Sequence, residues 1–263
     1  MADPSVAEAF TRLVDIMARL RAPGGCPWDR EQTPASLRPY LLEEVYEVLE
    51  AIDAGDPGHL RDELGDLLLQ VVFQSELAAE AGRFTIADVA RAIAEKLVRR
   101  HPHVFGDVQV RDASEVVRNW RRIKAEERRT AGEDGDLFAG VPAALPALVR
   151  AEQLGEKAGH VGLDWRDAPG VLEKLREETA ELEAALAAGD HARIEHELGD
   201  LLLAAASVGR HAGVSAEMAL RAANERFVAR VRRLEAAAQA RGQALADLAP
   251  AERDRLWEVI KRV

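Results

Sequence analysis

Two sets of carboxylates share one spacing in this chain, 134 residues apart. The first is Glu43-Glu44-x-x-Glu47 followed by Glu63-Leu64-Gly65-Asp66-Leu67-Leu68-Leu69; the second is Glu177-Glu178-x-x-Glu181 followed by Glu197-Leu198-Gly199-Asp200-Leu201-Leu202-Leu203. Acids grouped in this way are the hard oxygen donors that a divalent cation takes, and their repetition with one internal offset marks a duplicated unit. No Cys or His recurs within either set, so the donor chemistry favours Mg2+ or Mn2+ over zinc or copper. Crowded carboxylates beside apolar residues resist ionisation unless a cation compensates them.

The elements that must hold these acids are helices. Leu41, Val45, Val48, Leu49 and Ile52 recur at three- and four-residue steps, as do Leu60, Leu64, Leu67, Leu68, Val71 and Val72. Between the two stripes, Gly55 is placed to end the first helix, Asp56 to cap the second and Pro57 to occupy its first position. So short a connection predicts antiparallel neighbours. Glu44 and Asp66 are equidistant from Gly55, as are Glu47 and Glu63; Glu178/Asp200 and Glu181/Glu197 are equidistant from Gly189. At about 1.5 Å per residue, each pair lies roughly 12–16 Å from its glycine, one turn apart. Azimuth turns Glu44, Glu47, Glu63 and Asp66 toward one another and leaves Glu43 and Glu50 further out. Glu44, Glu47, Glu63, Asp66, Glu178, Glu181, Glu197 and Asp200 are therefore the expected metal ligands, with Glu43 secondary.

The remaining pattern is helical throughout and runs twice in the same order. A helix over 6–20 breaks at Ala22-Pro23-Gly24-Gly25-Cys26-Pro27-Trp28-Asp29, and the first hairpin follows over about 39–81. Thr85 with Asp88 predicts a capping box opening a helix to Arg100, then a loop, His101-Pro102-His103-Val104-Phe105-Gly106, and a helix with Trp120 and Lys124. The Gly-, Asp- and Glu-rich stretch 130–145 is the expected linker. Beyond it come a helix near 146–158, a Gly162-Leu163-Asp164-Trp165 turn, the second hairpin over about 169–212, a long helix capped by Ser215 and a last helix from Pro250 carrying Trp257. The expected fold is all-α, a tandem helical-bundle repeat with domains at 1–129 and 146–263.

Cations accompany each hairpin. Lys96 and Arg100 share a helix face, as do Arg226 and Arg230, and Trp120-x-x-Ile123-Lys124 is matched by Trp257-x-x-Ile260-Lys261. Arg and Lys grip phosphate oxygens, and an indole stacks on a base. Neither a P-loop nor a G-x-S-x-G motif occurs, so phosphate chemistry here is expected to be metal-centred. The pair His101/His103 has no counterpart in the second half and is expected to pack locally. A bridged di-iron centre would want E-x-x-H pairs where these helices carry E-x-x-D.

Composition limits the partners. Lys plus Arg number 35 and Asp plus Glu 46, a net charge of −11, which argues against general nucleic-acid binding. A single cysteine, Cys26, excludes an intramolecular disulfide and suits a reducing cytoplasm. Neither a signal peptide nor a membrane-spanning apolar run is expected from this sequence.

Cys26-Pro-Trp-Asp29, Tyr40-Leu-Leu-Glu-Glu-Val-Tyr-Glu-Val-Leu-Glu50, Arg99-Arg-His-Pro-His-Val-Phe105 and the two acidic sets resemble the MazG family of nucleoside triphosphate pyrophosphohydrolases, across nearly the whole chain. The resemblance implies Mg2+-dependent hydrolysis of a nucleoside triphosphate to its monophosphate and pyrophosphate by a homodimer, as in nucleotide-pool housecleaning. It implies metal ligation by the eight acids above. It also implies nucleotide contacts at Lys174, Arg193, Arg226, Arg230, Trp257 and Lys261, matched in the first half by Lys96, Arg100, Trp120 and Lys124. Glu177 or Glu178, with Glu43 or Glu44 as counterparts, would orient or deprotonate water. His59 stands where the second half has Arg193, and Arg226 where a lysine is common. The rival reading is a non-catalytic helical regulatory or scaffold dimer that keeps the repeat as architecture.

Overall fold

A computed structural model describes residues 3–130 and 136–261. Its regular elements are helical, with no strand among the described residues. The chain divides into two units, Met1–Thr130 and Ala131–Val263. Of the expected linker at 130–145, residues 131–135 lie outside the described residues.

The first unit contains α1 (Pro4–Arg21), α2 (Pro27–Glu31), α3 (Arg38–Ala54), α4 (Pro57–Glu80), α5 (Ile86–Arg100), α6 (Pro102–Phe105) and α7 (Ala113–Thr130). Its hairpin is α3–α4. Gly55 ends α3 with φ 70°, a left-handed conformation that glycine adopts without steric cost, and Asp56 caps α4 by accepting from the Gly58 N–H at 2.8 Å. The capping box of α5 forms as the sequence predicts, with Thr85 and Asp88 each bonded to the other's backbone. Met17 of α1, Leu37, and Val72, Phe73 and Leu77 of α4 make the core, flanked by Phe10, Leu13, Val14, Leu20, Leu69 and Ile86. Fully burying an aliphatic side chain of this size contributes about 1.5–3 kcal/mol, so the C-terminal half of α4 anchors the hairpin.

Two segments depart from expectation. The stretch 101–106 was expected as a loop, but Pro102–Phe105 closes one helical turn, with Pro102 at its first position where no N–H is needed. The break at 22–29 likewise contains the short helix α2, begun by Pro27.

The second unit contains α8 (Ala147–His160), α9 (Ala168–Ala188), α10 (His191–His211), α11 (Ala216–Gln239), a 3-10 turn (Leu245–Asp247) and α12 (Pro250–Lys261). Gly189, φ 67°, ends α9 as Gly55 ends α3. Buried Ala185, Ala204 and Ala206 line the α9–α10 hairpin, and small side chains let helix axes approach closely. Ser215 stands at the N-cap of α11 but makes no side-chain cap bond; its hydroxyl donates to Glu152 of α8 at 3.5 Å, and Glu152 itself accepts the Ala216 N–H. A longer side chain from another helix thus replaces the expected local cap.

Candidate metal and nucleotide site

In the first unit the hairpin brings three of its four expected ligands together. Glu44 and Glu47 on α3 and Glu63 on α4 each offer an oxygen within 4.8 Å of the others. Glu44 and Glu63 are half-buried, while Glu43 and Glu47 are exposed. Burial raises the Glu44 carboxyl above its ordinary range, and the charges of Asp66 and Glu47 add to the rise. Asp66 is therefore close enough to act on Glu44, although it stands outside the tight set. The Gln70 amide donates to Glu44 at 3.4 Å, and His59 lies 3.1 Å from Glu63. Among the described residues, no Lys or Arg pairs with these acids.

The second unit distributes the same acids differently. Glu177, Glu178 and Glu181 form one set, and His196, Glu197 and Asp200 another, each with donor atoms within 4.8 Å. The two sets are electrostatically joined: Glu181 is held above its ordinary range by partial burial, by Glu197 and by Glu178. Glu178 and Glu197 are buried, at 4% and 6% exposure. Lys174 reaches Glu177 at 2.7 Å and Glu178 at 2.6 Å, and these contacts raise its own pKa. Arg193 lies 3.2 Å from Glu197. At the corresponding places the first unit has Tyr40 and His59, so the added cations belong to the second unit alone.

One atom tests whether a cation suits this place. Oε2 of Glu178 is buried and accepts no hydrogen bond among the described residues. A buried carboxylate oxygen without a donor is costly, and a divalent cation satisfies it where the hairpin supplies no N–H. The donor set therefore fits a hard metal ion. His196, 3.4 Å from Asp200, was missed as a member of the cluster because it has no counterpart in the repeat, where Asp62 stands. Gln70, buried beside Glu44, was missed for the same reason, with Ala204 as its counterpart.

The basic and aromatic residues form their own groups. In the first unit, Arg100 and Lys124 lie 5.3 and 5.1 Å from the centre of the Trp120 ring. Glu127 accepts from Arg100 and Arg99, which hold its carboxyl down to about 2. Lys96 is exposed on α5. In the second unit, Trp257 meets Phe227 edge-on, 5.8 Å between centroids, and Lys261 lies 3.5 Å from Glu258. Arg226 is exposed and Arg230 half-buried on α11. Among the described residues, Lys174 and Arg193 touch the hairpin acids, whereas Lys96, Arg100, Lys124, Arg226, Arg230 and Lys261 make no ion pair with them. The His101 ring lies 2.7 Å from the Leu97 carbonyl and packs against His103, a local structural arrangement.

Residues 32–105 and 169–234 match the family model described as the MazG nucleotide pyrophosphohydrolase domain, and each match spans one acidic hairpin. The chain belongs to the MazG family. Its similarity to individual family members extends over almost its full length. It is 46% identical over 254 residues to a nucleoside triphosphate pyrophosphohydrolase of Escherichia coli (strain K12), covering 95% of this chain and 96% of that one. It is 43% identical over 252 residues to the nucleoside triphosphate pyrophosphohydrolase/pyrophosphatase MazG of Thermotoga maritima, covering 96% and 95%. It is also 42% identical over 253 residues to an uncharacterized protein, YabN, of Bacillus subtilis, of which it covers 51%. This MazG chain carries the family domain twice, as its repeat requires.

Proposed function

We propose that this protein hydrolyses nucleoside triphosphates, ribo or deoxy, to the nucleoside monophosphate and pyrophosphate, using Mg2+ with Mn2+ as a substitute. The observation that carries the reading is the hairpin carboxylate cluster with its orphaned, buried Glu178 oxygen. The names of its relatives in Escherichia coli and Thermotoga maritima support the same reaction. Glu178, Glu181, Glu197 and Asp200 hold the cation in the second unit, and Glu44, Glu47, Glu63 and Asp66 in the first. Bound there, it neutralises triphosphate charge and polarises the phosphorus under attack. Glu177 or Glu178 orients the water and accepts its proton, with Glu43 or Glu44 in the corresponding role. Lys174, Arg193, Arg226, Arg230 and Lys261 hold phosphate oxygens and Trp257 contacts the base; Lys96, Arg100, Lys124 and Trp120 are their first-unit counterparts. Such a reaction fits removal of unwanted nucleotides from the pool.

The working unit is a homodimer. The chain exposes 18140 Å2, whereas two separate compact domains of half its 28.7 kDa would together expose about 13,600 Å2. Apolar side chains stand exposed on the hairpins, where Leu198, Leu202 and Leu203 are 45–49% exposed. A second copy is the partner that would cover them. Among the described residues, no helix is long and apolar enough to cross a membrane.

Pyrophosphate release from a panel of NTPs and dNTPs, with and without Mg2+, tests the reaction. Glu47→Ala and Glu181→Ala, alone and combined, assign it to a unit. The double variant is expected to be inactive while remaining helical by circular dichroism. Full activity in that variant would overturn the assignment of the site to these acids, whereas no metal-dependent pyrophosphate from any nucleotide would overturn the reading in favour of a scaffold.

A further inference from the structure

The two hairpins carry the same four acids but not the same counter-charges. In the first unit Glu44, Glu47 and Glu63 converge, with Asp66 near enough to act on Glu44. The Gln70 amide lies 3.4 Å from Glu44, and the His59 ring, cationic only when protonated, lies 3.1 Å from Glu63. Gln70 is 6% exposed, and its Oε1 is buried and accepts no hydrogen bond among the described residues. An amide oxygen is a donor of the kind a hard cation takes, so this neighbour offers an oxygen rather than a rival charge.

In the second unit two cations already stand against the acids. Lys174 Nζ lies 2.6 Å from Glu178 Oε1 and Arg193 Nε 3.2 Å from Glu197 Oε1, and both acids are buried. Burial and acidic neighbours raise Glu44 and Glu181 alike, but only at Glu181 does a cation, Lys174, oppose the rise. A unit positive charge about 5 Å from a divalent ion weakens its binding roughly fivefold, even at the dielectric of bulk water with physiological salt screening. Two such charges weaken it roughly 20-fold, part of which is recovered when flexible Lys and Arg side chains swing aside.

We propose that the two units admit a divalent cation on different terms: the first binds it without nucleotide, whereas Lys174 and Arg193 keep the affinity of the second low until triphosphate oxygens draw them off Glu178 and Glu197. The Lys174 and Arg193 side chains are 34% and 50% exposed, so their charged ends can leave the acids without unpacking a helix. Phosphate oxygens are strong acceptors for both. With Lys174 gone, Glu178 has both oxygens for the cation, the buried Oε2 included. Cation and nucleotide then favour each other in the second unit by one and the same factor. The dependence on nucleotide rests on the pyrophosphohydrolase reading above, whereas the inequality of the two sites without nucleotide rests on their side chains alone.

Mn2+ binding to the full chain, followed by loss of the free-ion electron paramagnetic resonance signal, tests this without any turnover. Glu181→Gln leaves the first site intact and Glu47→Gln the second, and circular dichroism checks that both proteins stay helical. Without nucleotide, the Glu181→Gln protein is expected to bind Mn2+ about tenfold tighter than the Glu47→Gln protein. Adding Lys174→Gln and Arg193→Gln to Glu47→Gln should tighten Mn2+ binding by about the same factor, whereas loss of a merely structural contact would weaken it. Uncleavable α,β-methylene ATP should narrow the gap between the two single-site proteins. Equal affinities without nucleotide, tighter binding by the second site, or no gain on removing the two cations would overturn the inference and leave hydrolysis, read by pyrophosphate, untouched. A gap that α,β-methylene ATP leaves unchanged would overturn the part played by the triphosphate. Unequal affinities with no pyrophosphate from any nucleotide would sink the hydrolytic reading and leave the inequality standing.

Discussion

Replacing Asp164 by Asn removes the charge that ties the turn before α9 to the C-terminal end of α10, the helix carrying Glu197 and Asp200. Arg210 donates to Asp164 through Nη1 at 2.8 Å and Nη2 at 2.6 Å, His211 lies 3.0 Å away and the Trp165 N–H donates at 2.9 Å. Arg210 foremost, then His211, holds the Asp164 carboxyl at about 2 against an ordinary 3.8. At about 1.36 kcal/mol for each tenfold change in acidity, that difference corresponds to about 2.4 kcal/mol. The side chain retains 19% exposure, so solvent trims the expected loss in Asp164→Asn to about 2 kcal/mol at pH 7. The sign follows from the lowered value: the contribution is present above the ordinary carboxylate range and is lost as pH falls through the folded-state value. It halves near pH 3 and drops to about a sixth by pH 2. Urea unfolding of both proteins between pH 7 and pH 2, followed by tryptophan fluorescence, measures the difference directly. A gap between wild type and variant that is absent at pH 7, or that persists undiminished at pH 2, would refute the reasoning.

Gly189→Ala forces a side chain into a left-handed conformation and is expected to lower stability by about 1–2 kcal/mol. Gly199→Ala, in a helix interior where an added Cβ meets nothing within 4 Å, should raise it by about 0.5–1 kcal/mol. Thermal unfolding of the two variants compares them, and a shift of the same sign in both would contradict the assignment of Gly189 as a helix stop. Leu202→Glu places a charge on an exposed apolar face of α10 and is expected to convert a dimer to a monomer. Light scattering after size exclusion decides this; a wild-type monomer, or an unaltered dimer in the variant, removes the case for that face as the interface.

Local chemistry made much of this fold legible before any coordinates. Gly55, Asp56, Pro57, Thr85 and Asp88 act through bonds to residues at most four positions away, so their roles are written in short stretches of chain. Ser215 looked equally clear, yet Glu152, 63 residues earlier in sequence, takes the bond a local cap would have made. The turn at 101–106 misled for a related reason: its proline and glycine mark interruption, but a single helical turn starts at Pro102 and ends before Gly106.

The sequence by itself determined that two helical hairpins repeat and that each gathers acids on facing flanks, because helical periodicity and symmetry about a glycine are properties of spacing. Only the tertiary structure decided how those acids are partnered. Lys174 and Arg193 reach into the second set while Gln70 and His59 attend the first, and Glu178 is left with a buried oxygen that no donor among the described residues satisfies. The same was true of Phe227 and Trp257, whose edge-on meeting depends on α11 lying against α12. Side-chain reach, burial and the packing of distant helices are set by three-dimensional proximity, and no interval along the chain encodes them.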